Sequence, residues 1–392
     1  MSRLDRQAGK LAFSEAETLE LRARAQRLAG ATPHSDAPEV LRRVFGLQAQ
    51  LLSAAYLGVR VRSRGLLVDD ISRALARDRS IVRSWLFRGT LHLVAADDLR
   101  WLVRLLGPVF ARGSGSRQAQ LGLTGDIKAR GVNALRRILA GAGPLTRGEL
   151  VDRLSSAGIV LDPKSQAPIH LIRLAALQGI LCLGPDRPDG KQTYVLLDDW
   201  VPASKGIKRE AALAELALRY FRAYGPATID DLAAFSGLTL SEAREAALLT
   251  RADLAHVTVA AKPAFIARQT DTSLVGNTHV ATRLLPAFDT YLLGYRRRDL
   301  AVPAALQTRL QRGGGWLHPV MIVNGKAMAA WSLQRTAKRA AVRIESVGPI
   351  RRAILEGLKD EVADIARFLD VPTTLDVTSG GMATAERATD FA

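Results

Sequence analysis

Ile180-Leu181-Cys182-Leu183, the turn Gly184-Pro185-Asp186-Arg187-Pro188-Asp189-Gly190 and the run Thr193-Tyr194-Val195-Leu196-Leu197 decide how this chain is read. Two apolar runs around a turn rich in Gly, Pro and Asp predict a β-hairpin. Upstream, residues 166–178 predict a helix, and Pro144-Leu145-Thr146-Arg147-Gly148-Glu149-Leu150 opens another, with Thr146 and Glu149 at capping-box spacing. Helix, helix, hairpin is the grammar of a winged helix-turn-helix.

The same pattern recurs on both sides, although the copies share few identities. In the first copy, residues 15–29 carry apolar residues at helical spacing, residues 38–45 make a second helix that Gly46 can cap, a third helix begins after Ser53, and residues 80–94 predict the strands of a wing. In the third copy, Pro226-Ala227-Thr228-Ile229-Asp230-Asp231-Leu232 opens a helix and Gly237-Leu238-Thr239-Leu240-Ser241 supplies a turn and the next cap. Its wing is limited to residues 254–259 and a strand near Ala264. From about Arg283 the texture changes to strands: Pro319-Val320-Met321-Ile322-Val323 and Lys326-Ala327-Met328-Ala329-Ala330-Trp331 flank Asn324-Gly325, a strong two-residue hairpin signal. Residues 341–347 add a strand and residues 350–369 an amphipathic helix. The expected fold is α+β and mainly helical, with three tandem winged helix-turn-helix units and a C-terminal β-rich domain. The divisions fall at 1–115, 116–205, 206–275 and 276–376, followed by a disordered tail over 377–392.

Composition bounds the function. With 392 residues, 48% of them hydrophobic, the chain can bury a sizeable core. A formal net charge of +17, carried mostly by arginine, calls for a polyanionic partner, most often nucleic acid. Solvated surface charge is the bland alternative. The single cysteine, Cys182, excludes an intramolecular disulfide and cysteine-bound clusters, and its apolar run makes it a small buried hydrophobe. No stretch has the length of a membrane span and the polar N-terminus lacks a signal-peptide core, so a cytoplasmic, nucleoid-associated protein is expected. Phosphate-loop, dinucleotide and His-Glu-x-x-His motifs are absent, and the six histidines lack ligand spacing, so neither metal nor cofactor is expected.

Gly46-Leu47-Gln48-Ala49-Gln50 places two amides one residue apart in a connection between helices. In an extended segment such residues project to the same side and can face one cavity; solvated or helix-capping glutamines are the alternative. Together with Trp85-Leu86-Phe87-Arg88-Gly89-Thr90-Leu91-His92-Leu93 and Leu284-Leu285-Pro286-Ala287-Phe288-Asp289-Thr290-Tyr291-Leu292-Leu293-Gly294-Tyr295-Arg296-Arg297-Arg298, the segment resembles hallmarks of the winged-helix DNA glycosylases of the AlkZ and YcaQ (AlkX) type, over about residues 21–368. The resemblance implies that Gln48 and Gln50 are the functional pair. It implies a monofunctional DNA glycosylase that hydrolyses the N-glycosidic bond of cationic N7- or N3-alkylpurines, including bulky antibiotic adducts or the purine half of an interstrand crosslink. Gln50, where the crosslink-repair branch tends to carry aspartate, sets the chain nearer the antibiotic self-resistance type. Asp289 can orient water or balance the sugar cation; it can equally be a cap or an ion-pair partner of Arg283 or of Arg296 to Arg298. His92, alternating with Leu91 and Leu93, is a structural histidine or a supporting group.

Phosphate contacts are expected from Arg83 and Arg88, which flank Trp85 in the first wing, and from Arg296, Arg297 and Arg298 at a strand end. No lysine lies near the glutamines, which disfavours Schiff-base chemistry. The expected partner is duplex DNA carrying alkylated or crosslinked purines, bound by a monomer without a membrane. A non-catalytic winged-helix regulator is the competing reading, and a lesion-binding protein that releases no base is a third.

Overall fold

The computed structural model describes residues 11–379 apart from 274, 277–279, 314 and 347. The fold is α+β, and its helices begin where the sequence supplies caps. Ser14, Thr146, Thr228 and Thr239 each accept from the backbone N–H three residues on, while Glu17, Glu149, Asp231 and Glu242 reach back to the cap N–H.

The first helices are Glu15–Ala25 and Ala37–Val44; the expected third helix is split in two, Leu52–Arg60 and Val68–Ala76. The hairpin Ile81–Trp85 and Leu91–Ala95 follows, turning through Phe87–Gly89. Helices Ala96–Gly113, Gly115–Gln120, Gly125–Leu139, Arg147–Ser156 and Ala167–Leu177 lead to the second hairpin, Leu181–Leu183 with Thr193–Leu196. The two hairpins join through Arg83 and Leu183, and Leu47–Gln48 and Leu145–Thr146 complete a six-stranded sheet at its two edges. A division at 115/116 therefore crosses one continuous sheet. It also crosses a backbone-to-backbone contact: a Cβ on Gly107, in the helix Ala96–Gly113, would lie 2.0 Å from the Leu177 carbonyl oxygen of the helix behind it.

Helices Arg209–Tyr224, Ile229–Ser236 and Leu240–Leu249 precede a third hairpin, Leu254–Val259 with Lys262–Ala267. The strand Leu11–Phe13, not foreseen from sequence, pairs parallel with Leu254–Val259. Phe45 and Phe87 from the first segment, Cys182 from the second and Tyr220 and Phe235 from the third share one buried cluster. That shared core fixes the three segments against each other, each large side chain contributing about 1.5–3 kcal/mol on burial.

The C-terminal sheet runs Thr282–Leu285, Val320–Val323, Lys326–Arg335, Ala340–Ser346, Thr373–Ser379. Asn324 and Gly325 both have positive φ (48° and 81°), as the two-residue hairpin requires. Helix Arg352–Leu369 buries Ile354, Leu358, Val362, Ile365 and Phe368 and crosses over to the last strand, which pairs parallel with Ala340–Ser346. The expected disordered tail thus begins too early, because residues 377–379 belong to a strand; residues 380–392 lie outside the described residues. Arg60, fully buried, ties this helix to Leu52–Arg60 by pairing with Glu361 at 3.0 Å and Asp364 at 2.8 Å.

Gly107→Ala should cost on the order of 1–3 kcal/mol or more in urea unfolding, because the added methyl overlaps a backbone carbonyl that cannot rotate away. Unchanged stability would mean the two helices are free to separate.

Candidate active site

Gly46 brings the chain against the first hairpin. With φ at +88°, it follows the left-handed Phe45 that ends the helix Ala37–Val44, and a Cβ there would meet the Val94 side chain at 3.0 Å. Leu47 and Gln48 then pair with Leu93 and His92, and Ala49 continues the ladder by donating to the Leu91 carbonyl at 2.7 Å. The connection between helices is therefore extended. Leu47 and Ala49 are buried, Gln48 is 8% exposed and Gln50 is open to solvent.

Arg88 engages Gln48 directly. Its Nη2 donates to Gln48 Oε1, and its Nη1 donates to the Leu293 carbonyl at 3.0 Å. Because guanidinium has donors only, the contact requires the amide oxygen of Gln48 to face Arg88. Gln48 Nε2 is thereby turned away, and it bonds to no other described residue. Arg88 sits at φ 54° in the tight turn of the hairpin, and burial pulls its pKa down to about 10. The charge of Arg298 adds to that depression. The turn is braced by Arg173, which donates to the Gly89 carbonyl at 3.2 Å and to Ser114 Oγ at 2.8 Å.

His92 faces Gln48 across the sheet but is sealed inside. Its Nδ1 lies 3.0 Å from the Thr90 carbonyl, which makes Nδ1 the protonated nitrogen and leaves Nε2 a buried acceptor without a partner. Phe87 meets the ring edge-on at 5.2 Å between centroids. Burial first, and the Arg88 charge second, pull its pKa down to about 3. A fully buried imidazole that stays neutral down to that pH is poorly suited to shuttle protons near neutrality.

Asp289 is a clamp. Its two carboxylate oxygens accept from Arg62 at 2.7 and 2.9 Å, and Oδ1 also caps the short helix Thr290–Leu293 through Tyr291 N at 2.9 Å. Arg62 is 0% exposed and Asp289 3%, so the pair is dry. The partner is thus Arg62 rather than Arg283 or the Arg296–Arg298 run, and this pairing commits Asp289 to holding its segment. Around it, Tyr224 Oη and Thr290 Oγ1 lie 2.8 Å apart, Tyr220 Oη donates to the Gly294 carbonyl at 2.9 Å, and Tyr291 Oη donates to Gly325 at 2.8 Å. These bonds hold Leu293 where Arg88 meets it.

The remaining arginines separate. Arg83 is 1% exposed and donates to the carbonyls of Ala49 (2.9 Å) and Gln50 (3.3 Å) while pairing with Asp186 at 3.4 Å. It straps the glutamine segment to both hairpins and has no surface for phosphate, which corrects its expected DNA contact. Arg296, Arg297 and Arg298 follow a short helix rather than a strand. Arg296 pairs with Asp230 at 2.6 Å and Arg297 with Asp299 at 2.7 Å, both exposed. Arg298 is half-buried, reaches Gln311 at 3.3 Å and has its pKa lowered by burial. Sequence reasoning missed Arg62, Arg173 and the Arg88 contact with Gln48, all set by folding across distant segments. Among the described residues no cluster of His, Cys, Asp or Glu could hold a metal ion.

The depressed pKa of His92 has a signed consequence. Between about pH 6.5 and 3 the unfolded chain binds a proton at His92 that the folded chain refuses, so this residue makes stability fall as pH falls through that window. His92→Asn should lose less stability than the wild type between pH 7 and 4 in urea titrations. Parallel curves for the two proteins would contradict the buried neutral imidazole.

The family model described as DNA glycosylase AlkZ-like matches residues 41–368, a span that contains both glutamines, the Arg88 turn and the Asp289 segment. The interstrand DNA cross-link repair glycosylase of Streptomyces sahachiroi is 29% identical over 317 residues, 76% of this chain and 82% of that protein. The solved structure of Streptomyces sahachiroi DNA glycosylase AlkZ matches with a TM-score of 0.79 and 25% identity, covering 94% of this chain and 100% of that one. The chain belongs to the AlkZ-like DNA glycosylase family, and it is a DNA glycosylase.

Proposed function

We propose that the protein is a monofunctional glycosylase for purines made cationic by alkylation at N7 or N3, with Gln48 and Gln50 at the reaction centre. The observation that carries this reading is the chemistry left available beside the pair. Asp289 is spent on Arg62, and His92 is buried and neutral with its pKa near 3. Amides cannot serve as general bases near neutral pH, so the site suits a leaving group that is already activated. An N7- or N3-alkylpurine is such a group, because it departs as a neutral base.

What the protein then supplies is placement. Positive charge develops on the deoxyribose as the bond breaks, and water adds at C1′. Arg88 fixes the Gln48 amide with Nε2 turned outward, so Gln48 can hold the water or the sugar–phosphate backbone in place by donating a hydrogen bond. Gln50, exposed and free of that restraint, has a carbonyl oxygen able to accept from the attacking water. The water releases one proton to bulk solvent as it adds, leaving a 1′-hydroxyl sugar and the free neutral alkylpurine.

The cross-link repair activity named for the relative extends the proposed substrates to crosslinked and bulky adducts. Gln50 at the second position favours the antibiotic-adduct type. The three helix-and-hairpin segments act, in this reading, as winged-helix units on duplex DNA, with the protein working as a monomer. No described helix is long and apolar enough to cross a membrane.

Base release from duplexes carrying N7-methylguanine or uracil tests the reading. The wild type should free the alkylpurine and spare uracil, and Gln48→Ala and Gln50→Ala should each lose about 10²–10³-fold in rate with DNA affinity retained. Efficient release of uracil would show that the enzyme activates neutral leaving groups and would sink the amide mechanism.

A further inference from the structure

The face of helix Ala96–Gly113 that points away from the reaction centre carries an unexplained run of positive charge. Phe110 projects toward the centre, since a Cβ on Gly89 would lie 3.1 Å from its ring. Arg112, two residues on, projects roughly 200° away. Arg104, Pro108 and Arg112, four residues apart, form a stripe on that opposite side.

Three cavities meet along this stripe. One of about 630 Å³ is lined by Arg100, Arg104 and Arg112; a second, of about 620 Å³, by Arg112 and Lys128; a third, of about 300 Å³, by Arg104, Arg112 and Arg209. Arg112 borders all three, and no carboxylate lines any of them. Two basic residues there are already committed: Arg100 pairs with Asp198 at 2.9 Å and Arg209 with Glu242 at 2.5 Å. Arg104, Arg112 and Lys128 make no ion pair with any described residue; Arg104 and Arg112 are exposed, and Lys128 is partly so. The guanidinium of Arg104 rests on the backbone of Gly206, where a Cβ would lie 2.1 Å from Nη1.

We propose that this face is a second DNA-backbone site, binding phosphodiesters that lie outside the stretch held at Gln48. Charge complementarity selects the occupant. Arginine forks take phosphate oxygens in pairs, and the helix sets Arg104 and Arg112 about 12 Å apart along its axis, so that they reach separate phosphates of one backbone. A DNA glycosylase meets polyphosphate with every substrate. The phosphates come from the far arm of the same duplex or from a second duplex. The site adds affinity without sequence preference and takes no part in bond cleavage.

Salt-dependent binding tests this, using full-length protein and lesion duplexes of about 12 and about 40 base pairs. Each phosphate contact contributes about 0.9 to the slope of log affinity against log salt. Arg104→Ser with Arg112→Ser should flatten the slope by about 1.8 on the long duplex. The short duplex should show the wild-type slope and rate of base release. Arg104→Lys with Arg112→Lys should restore the long-duplex slope, since the charge is kept. If the loss appears only for unmodified duplex added in trans to protein saturated with short lesion duplex, the second molecule is the source and the site stands. Unchanged slopes on long and added duplex would overturn it. So would an equal loss on the short duplex, which would put these arginines in the reaction footprint. Loss of polyglutamate binding with DNA slopes unmoved would assign the face to acidic proteins and likewise overturn the proposal.

Discussion

The site depends on one guanidinium. Arg88 bonds at once to the Gln48 amide oxygen and to the Leu293 carbonyl, and so joins three segments far apart in sequence: the edge strand after Gly46, the turn of the first hairpin and the short helix after Asp289. Each is held independently. Arg83 fixes the carbonyls that follow Gln48, Arg173 fixes Gly89 next to Arg88, and the Arg62–Asp289 pair with Tyr220 and Tyr224 fixes the Leu293 segment. An arginine whose two partners are both anchored has little freedom, and its geometry passes to the glutamine. Such rigidity is what an amide needs if it is to act by position alone.

Burial divides the charged groups between scaffold and chemistry. Removing one member of a buried ion pair leaves the other uncompensated, at about 3–5 kcal/mol, so Arg62–Asp289 and Arg60–Glu361 are suited to holding segments together. His92 is excluded by the same desolvation. What is left near the pair is dipolar or permanently cationic. In the proposed mechanism fixed positive charge near the developing sugar cation is unfavourable; the Arg88 charge is directed onto the Gln48 oxygen, and the phosphates of bound DNA would bring the compensating anion.

Much of the scaffold was legible. Thr146 and Glu149, Thr228 and Asp231, and Asn324-Gly325 act within a few residues, so local rules found the helix starts and the hairpin. The parallel strands Leu11–Phe13 and Thr373–Ser379 were missed because each lies near an end of the chain and finds its partner only after the rest has folded. Gln48 and Gln50 were singled out through their spacing and resemblance, whereas Arg88, which bonds to Gln48, was read only as a phosphate contact. Sequence spacing carries no information about a bond between a hairpin turn and a carbonyl 205 residues later. Arg83 misled for a related reason: a charged residue reads as surface until its carbonyl partners are known.

A double-substitution cycle on single-turnover release of N7-methylguanine, comparing Arg88→Met, Gln48→Ala and the pair, tests the central claim most directly. If Arg88 works by orienting Gln48, its substitution slows the wild type strongly and the Gln48→Ala protein hardly at all, while DNA affinity changes little. Losses that multiply in the double variant would mean that the two residues act separately and that the orientation account is wrong.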